Sequence, residues 1–133
     1  MKTTPDTNVL IAAFISKGFC YEWLEHCALR HELVTSNFIL EELHEKLTTK
    51  FKYTNEEAEE VVELLCSKMK IVEPVKFDKQ ICRDADDDNV LGTAKAGNCD
   101  CIVTGDKDLL VLKRFEGIDI ISPSEFLDYE EAK

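Results

Sequence analysis

A chain of 133 residues, 44% hydrophobic and 32% charged, holds enough apolar surface for one packed core and too little length for two. That balance excludes disordered and collagen-like classes, and no apolar run reaches the roughly 18 residues of a membrane helix. The formal net charge of -11 excludes a simple nucleic-acid-coating protein, which is normally basic, but not a nucleic-acid enzyme that meets phosphate through a bound cation.

In chain order, Lys2 to Pro5 reads as a short strand, followed at once by Asp6 and the apolar run Val9 to Ile15. That run lacks the basic flank and cleavage site of a signal peptide, so a cytoplasmic location is expected. Phe19 to Arg30 reads as a helix with Trp23, Leu24 and Cys27 on one side, and Leu33 to Thr35 as a strand. Ser36 is an N-cap for a helix through about Phe51. Thr54 and Glu57 form a capping box that opens a helix carrying Val61, Leu64, Leu65 and Lys68. Met69 to Val72 is a further strand, and Pro74 breaks the pattern.

Asp87 or Asp88 opens a helix that ends near Gly97, and Cys101 to Thr104 has the apolar run of a buried strand. Asp106 starts a short helix with Leu109, Leu110 and Leu112. Asp119 to Ile121 is the last strand, and Ser124 caps a closing turn with Phe126 and Leu127. Strands alternating with helices predict a single α/β domain over residues 1–133, with a mostly parallel sheet and right-handed crossovers.

Six cysteines lie along the chain with no C-x-x-C pair. Cys99 and Cys101 are two apart, so a strand spanning them would point both the same way, without histidine neighbours. Free thiols in a reducing compartment are the expected state, rather than a zinc site or a disulfide scaffold.

In sheets of this type functional residues collect beyond the C-terminal strand ends. Asp6 follows the first strand directly, Asp106 follows the strand ending at Thr104 after one glycine, and Asp87 and Asp88 sit at a helix start one element upstream. If those two strands are neighbours, the carboxylates converge, and their repulsion calls for a divalent cation with oxygen preference. Glu42 is a fourth candidate. On its helix the apolar stripe is Ile39, Leu40, Leu43 and Leu47, and Glu42 lies closer to that stripe than Glu41 or Glu45, which face solvent. Taken singly, these acids are as well explained as helix caps and surface charge. The run Asp84 to Asn89 is not an EF-hand: Asn89 stands where glycine is required and Lys95 where the bidentate glutamate is required.

Five segments resemble the PIN-domain family in order: Lys2-Thr3-Thr4-Pro5-Asp6-Thr7-Asn8-Val9-Leu10, Leu40-Glu41-Glu42-Leu43, Arg83-Asp84-Ala85-Asp86-Asp87-Asp88, Ile102-Val103-Thr104-Gly105-Asp106-Lys107-Asp108-Leu109 and Ser122-Pro123-Ser124-Glu125-Phe126-Leu127. The resemblance covers nearly the whole chain. It implies a three-layer α/β/α PIN-like domain and a divalent-metal-dependent endoribonuclease, often the toxin half of a VapC-like toxin–antitoxin pair.

By the resemblance, Asp6, Glu42, Asp87 and Asp106 hold one or two Mg²⁺ or Mn²⁺ ions. Asp88 is the runner-up for the third acid; Asp87 fits better because Val90, Leu91 and Ala94 follow it at helical spacing. Thr7, Asn8 and Thr104 are placed to orient carboxylates or substrate, with Asp84 and Asp108 in support. Expected partners are single-stranded or looped RNA, an antitoxin protein and a second copy of the chain, with 5′-phosphate and 3′-hydroxyl products. Lys46, Lys50, Lys52, Lys107, Lys113 and Arg114 are candidates for phosphate contact or plain surface charge. Two positions depart from the family pattern: Pro5 cannot donate within a central strand, and Ala85 stands in place of a proline.

Three other readings compete. A receiver domain needs an aspartate at the end of its third strand and a lysine after its fifth, which Val72-Glu73-Pro74 and Ile121-Ser122-Pro123 do not supply. A haloacid-dehalogenase-type phosphatase needs a second aspartate two residues after the first, where Asn8 stands. A catalytically weak PIN-fold scaffold for RNA or a partner is opposed by the presence of all four acids.

Overall fold

The computed structural model describes residues 1–16 and 18–133. Strand β1 (Lys2–Pro5) runs through Asp6 into helix α1 (Thr7–Ser16), followed by α2 (Phe19–Arg30), β2 (Glu32–Thr35), α3 (Asn37–Thr49), α4 (Asn55–Lys68) and β3 (Met69–Ile71). The second half comprises α5 (Ala85–Ala96), β4 (Cys101–Val103), α6 (Lys107–Leu110), β5 (Arg114–Phe115), β6 (Ile118–Ile121), a 3-10 turn (Pro123–Glu125) and α7 (Phe126–Glu131).

Among the described residues, one six-stranded sheet has the order β3-β2-β1-β4-β6-β5, parallel except for β5. The chain first steps from β1 to β2 to β3, then crosses back to lay β4 on the other side of β1. With right-handed crossovers, α1 to α4 cover one face and α5 the other, giving three layers. The reversal makes the gap between β1 and β4 the topological switch point, and Asp6 and Thr104 stand at its C-terminal edge.

Pro5 is compatible with this central position. Its neighbour Asp6 donates its N–H to Val103 O at 3.0 Å, toward β4. Successive residues of a strand point their N–H groups to opposite sides, so the missing Pro5 donor falls on the β2 side, past the Thr3–Leu33 pair.

The sheet is sealed by side chains from both layers. Leu33, Ile102, Leu10, Leu43 and Leu91 are fully buried. Ser36 caps α3 and accepts a hydrogen bond from the buried Thr93 hydroxyl at 2.8 Å, which ties the start of α3 to α5. The Thr54–Glu57 capping box opens α4 as its sequence predicts.

Five local expectations are corrected and one hairpin is new. Helix α5 starts at Ala85 with Asp84 as its cap, rather than at Asp87 or Asp88, because the Asp84 carboxylate accepts from Asp86 N at 2.9 Å. Helix α3 ends at Thr49, not Phe51, and the fourth strand ends at Val103, not Thr104. Ser122, not Ser124, caps the closing turn: its backbone and side chain both bond Glu125. The β5–β6 hairpin has no counterpart in the sequence pattern; it turns at Glu116 and Gly117, both with positive φ. Finally, Cys99 lies before the strand and meets Thr4, whereas Cys101 meets Thr3, so the two thiols point to opposite faces. Burial pushes the Cys99 thiol up to about 11 and Cys101 to about 12, so both stay protonated.

The backbone near Val75 lies directly on α5. Val75 N donates to Gly92 O at 3.0 Å, and a Cβ on Gly92 would stand 2.2 Å from Val75 O. Gly92→Ala therefore forces this segment off the helix and is expected to cost about 1–3 kcal/mol, the range for overpacking. Urea denaturation monitored by circular dichroism measures it.

Candidate active site

Four acids from distant parts of the chain reach the C-terminal edge of the sheet, carried by or just before helices α1, α3, α5 and α6. Asp6 ends β1 and caps the first turn of α1, accepting from Val9 N at 3.0 Å. Asp84 caps α5, and Asp106 caps α6 by accepting from Asp108 N at 2.8 Å. Negative charge is favoured at each of these helix N-termini. The cap and site readings of Asp6 and Asp106 are thus compatible: one carboxylate does both.

A cleft of about 80 Å³ opens between these helix starts, lined by Asp6, Thr7, Asn8, Glu42, Lys46, Asp84, Asp86, Asp87, Val90 and Asp106. All four sequence-derived acids line it, and Asp88 does not. Asp88 is instead held by the preceding loop, with its two oxygens accepting from Cys82 N at 2.7 Å and Ile81 N at 2.9 Å. Glu42 is half-buried while Glu41 and Glu45 are exposed, as helical geometry predicts. Asn8 is exposed and lines the cleft rim. Of the six basic residues named from sequence, Lys46, one turn beyond Glu42, reaches the cleft lining.

Two threonines orient the acids. The buried Thr104 hydroxyl donates to Asp6 Oδ2 and accepts from Asp106 N at 2.9 Å, linking the acids after β1 and β4. The Thr7 hydroxyl donates to Glu42 Oε1. Asp108 is closer in than sequence reading suggested: Asp87, Asp106 and Asp108 each present a carboxylate oxygen within 4.8 Å of the others. Its inward position is set by the first turn of α6, which the V-T-G-D-x-D-L spacing marks without revealing its direction.

The electrostatics follow first from burial and then from crowding of like charges. Asp6 is 4% exposed, and burial raises its pKa; hydrogen bonds from Thr104 and Val9 oppose the rise, and Asp106 adds to it. Asp87 is pushed up to about 7, first by burial and then by the charges of Asp106, Asp84, Asp6 and Asp108. Its Oδ2 is buried without a hydrogen-bond partner. An all-oxygen donor set with one orphaned buried carboxylate oxygen fits a hard divalent cation.

These shifts generate two expectations. The unfolded chain titrates Asp87 near 3.8, so the stability tied to its protonation is full below that pH and is lost as pH rises through about 7. Without metal, the midpoint of thermal unfolding should fall between about pH 4 and pH 7 and level off above, and Asp87→Asn should flatten that fall. The neighbouring change should do the reverse: Asp88→Asn weakens two backbone hydrogen bonds and is expected to destabilise by about 1–3 kcal/mol. Thermal and urea unfolding of the two variants at one pH separates them.

Comparison with known proteins bears on the family and the fold. The PIN domain family model matches residues 4–108. No curated protein matches in sequence. Among solved structures, the chain is similar to VapBC2 from Rickettsia felis bound to a DNA fragment from its promoter, with 18% identity, TM-score 0.68, and coverage of 92% of this chain and 98% of that one. It is also similar to PAE2754 from Pyrobaculum aerophilum, with 18% identity, TM-score 0.65, and coverage of 100% and 91%. VapBC-1 from nontypeable Haemophilus influenzae gives 15% identity, TM-score 0.63, and coverage of 93% and 99%. The fold, the ordered motifs and the family match over residues 4–108 agree, and the chain belongs to the PIN domain family.

Proposed function

We propose that the protein is a divalent-metal-dependent endoribonuclease, acting as one domain over residues 1–133 and serving as the toxin component of a toxin–antitoxin pair. The observation that carries the nuclease reading is the convergence of Asp6, Glu42, Asp87 and Asp106 on one cleft at the switch point. The toxin reading is supported by the likeness to two VapBC structures, which favours an antitoxin partner.

Asp6, Glu42, Asp87 and Asp106 would hold Mg²⁺ or Mn²⁺, with Asp108 beside them. A bound divalent cation supplies a water of lowered pKa and neutralises charge on the phosphate and leaving oxygen. The chain's own groups prepare this chemistry. Thr104 fixes the Asp6 carboxylate, and Thr7 fixes Glu42. Asp87 keeps one buried oxygen without a hydrogen-bond partner. Asn8 at the rim and Lys46 on the wall are positioned for a phosphate or base of the substrate.

The narrow cleft favours single-stranded or looped RNA, whose phosphates bend into a pocket that a duplex would bridge. The acidic balance makes binding weak until cations are present. No helix among the described residues is long and apolar enough to cross a membrane.

The test is cleavage of a panel of structured and unstructured RNAs in Mn²⁺, Mg²⁺ and chelator. Cleavage should require metal, leave 5′-phosphate ends, and be abolished by Asp6→Asn and Asp87→Asn. Asp88→Asn should remain measurably active once its folding is verified. A dead Asp88→Asn beside an active Asp87→Asn would move the third acid by one residue. Activity of all three variants at the wild-type rate would favour the scaffold reading.

A further inference from the structure

We propose that His26, His31 and Glu130 form a second metal site, a mixed nitrogen and oxygen site for a zinc-type transition-metal ion at the opposite end of the sheet from the acidic cleft. It does not depend on the nuclease reading.

Three donors meet from separated elements: His26 on α2, His31 just past its end, and Glu130 on α7. His26 Nε2 lies 2.8 Å from Glu130 Oε2 and 3.1 Å from Oε1, and His31 Nε2 contacts the same Oε2. One donor atom from each residue lies within 4.8 Å of the other two. A plain ion pair holding α7 to α2 needs one imidazole. Here two Nε2 atoms share one carboxylate oxygen, so the three donors are close enough for one ion to replace the N–H protons between them.

The rings are held for this. The His26 and His31 ring centres are 5.9 Å apart with planes inclined at 68°, so the rings do not stack. His31 packs edge-on against the fully buried Phe126, which itself meets Trp23 at 5.5 Å. The Nδ1 of His31 lies 3.2 Å from the Met1 amino nitrogen and Nε2 is turned toward Glu130; ligation through Nε2 requires the ring proton to sit on Nδ1 and be donated to a neutral Met1 amine. The His26 and Glu130 side chains are 28% and 22% exposed, so water can complete the coordination.

The donor chemistry names the ion class. Two imidazoles and one carboxylate suit Zn²⁺ and its transition-metal neighbours, whereas Mg²⁺ and Ca²⁺ prefer oxygen alone. His31 precedes the N-terminal end of β2, while Asp6 and Asp106 stand beyond the C-terminal ends of β1 and β4. The two sites therefore differ both in place and in metal preference. The bound ion would fasten α7 to α2.

The experiment titrates the metal-free full chain with ZnCl₂ by calorimetry in excess Mg²⁺, which occupies oxygen-only sites. It adds thermal unfolding and nitrogen NMR of the imidazoles. One equivalent of Zn²⁺ should bind, raise the unfolding midpoint and shift Nε2 of both rings. His26→Ala and Glu130→Gln, at partly exposed positions that leave Phe126 in place, should each weaken zinc binding about tenfold or more, while Asp106→Asn titrates like wild type. Absence of zinc binding in the wild type overturns the proposal. So does undiminished binding in both His26→Ala and Glu130→Gln, or loss in Asp106→Asn alone, which assigns zinc to the acidic cleft. The wild-type NMR shifts decide the matter if either variant fails to fold.

Discussion

Carboxylates gathered at one edge of a sheet repel one another, and the fold around that edge is arranged to tolerate the repulsion. Helices α1, α5 and α6 start there, and their unpaired backbone N–H groups and dipoles favour negative charge. Asp6, Asp84 and Asp106 take three of those caps. Thr104 and Thr7 supply further donors, to Asp6 and Glu42. The compensation stops short at Asp87, whose Oδ2 is left without a partner among four neighbouring charges. That residual frustration is local and electrostatic. It is borne by a continuous apolar core running from Leu10 through Leu33, Leu43 and Ile102 to Leu91.

The topology determines which acids can meet. Because β4 returns to the far side of β1, the residues after the first and fourth strands become neighbours despite nearly a hundred intervening positions. Thr104 exploits this directly by bonding Asp6 and the Asp106 amide at once. Glu42 and Asp87 arrive by a different route, through helices on the two faces. The buried Thr93–Ser36 hydrogen bond joins those helices near their inner ends, and Gly92 lets the backbone at Val75 lie against α5. The position of Asp87 is thus a consequence of packing two turns further along its helix.

Much of this was legible in the residues because the signals were local. Strand and helix periods, the Ser36 and Thr54 caps, and acids standing directly after strands all follow from short-range chemistry. Glu42 was distinguishable from Glu41 and Glu45 because helical phase relative to Leu40 and Leu43 is readable without a structure. The PIN-family resemblance added the order of the motifs and the choice of acids. What stayed hidden depended on tertiary placement or on turns without a strong signal. The two-residue strand β5 is too short for a period, and its Glu116–Gly117 turn lacks the usual Asn or Asp. Asp108 joins the cluster through the way α6 turns, and the His26, His31 and Glu130 group exists because α7 folds back on α2.

The acidic run before and within α5 shows how helical phase divides apparently equivalent charges. Adjacent residues of a helix diverge by about 100°, so consecutive aspartates cannot share one environment. Asp84 turns its carboxylate to the first amides and caps the helix. Asp86 remains exposed at the rim of the cleft. Asp87 turns inward toward Asp106 and Asp108, because Val90, Leu91 and Ala94 bury the same helix against the sheet. Asp88 turns back and takes the amides of Ile81 and Cys82, fixing the loop that leads into the helix. One of the four therefore builds the helix end, one faces solvent, one carries the unsatisfied charge and one anchors the approach. A shift of the helix by one residue would exchange the last two. The loop anchor would then enter the cleft and the cleft acid would lose its place, so the cap at Asp84 and the close contact at Gly92 fix the chemistry by fixing the register.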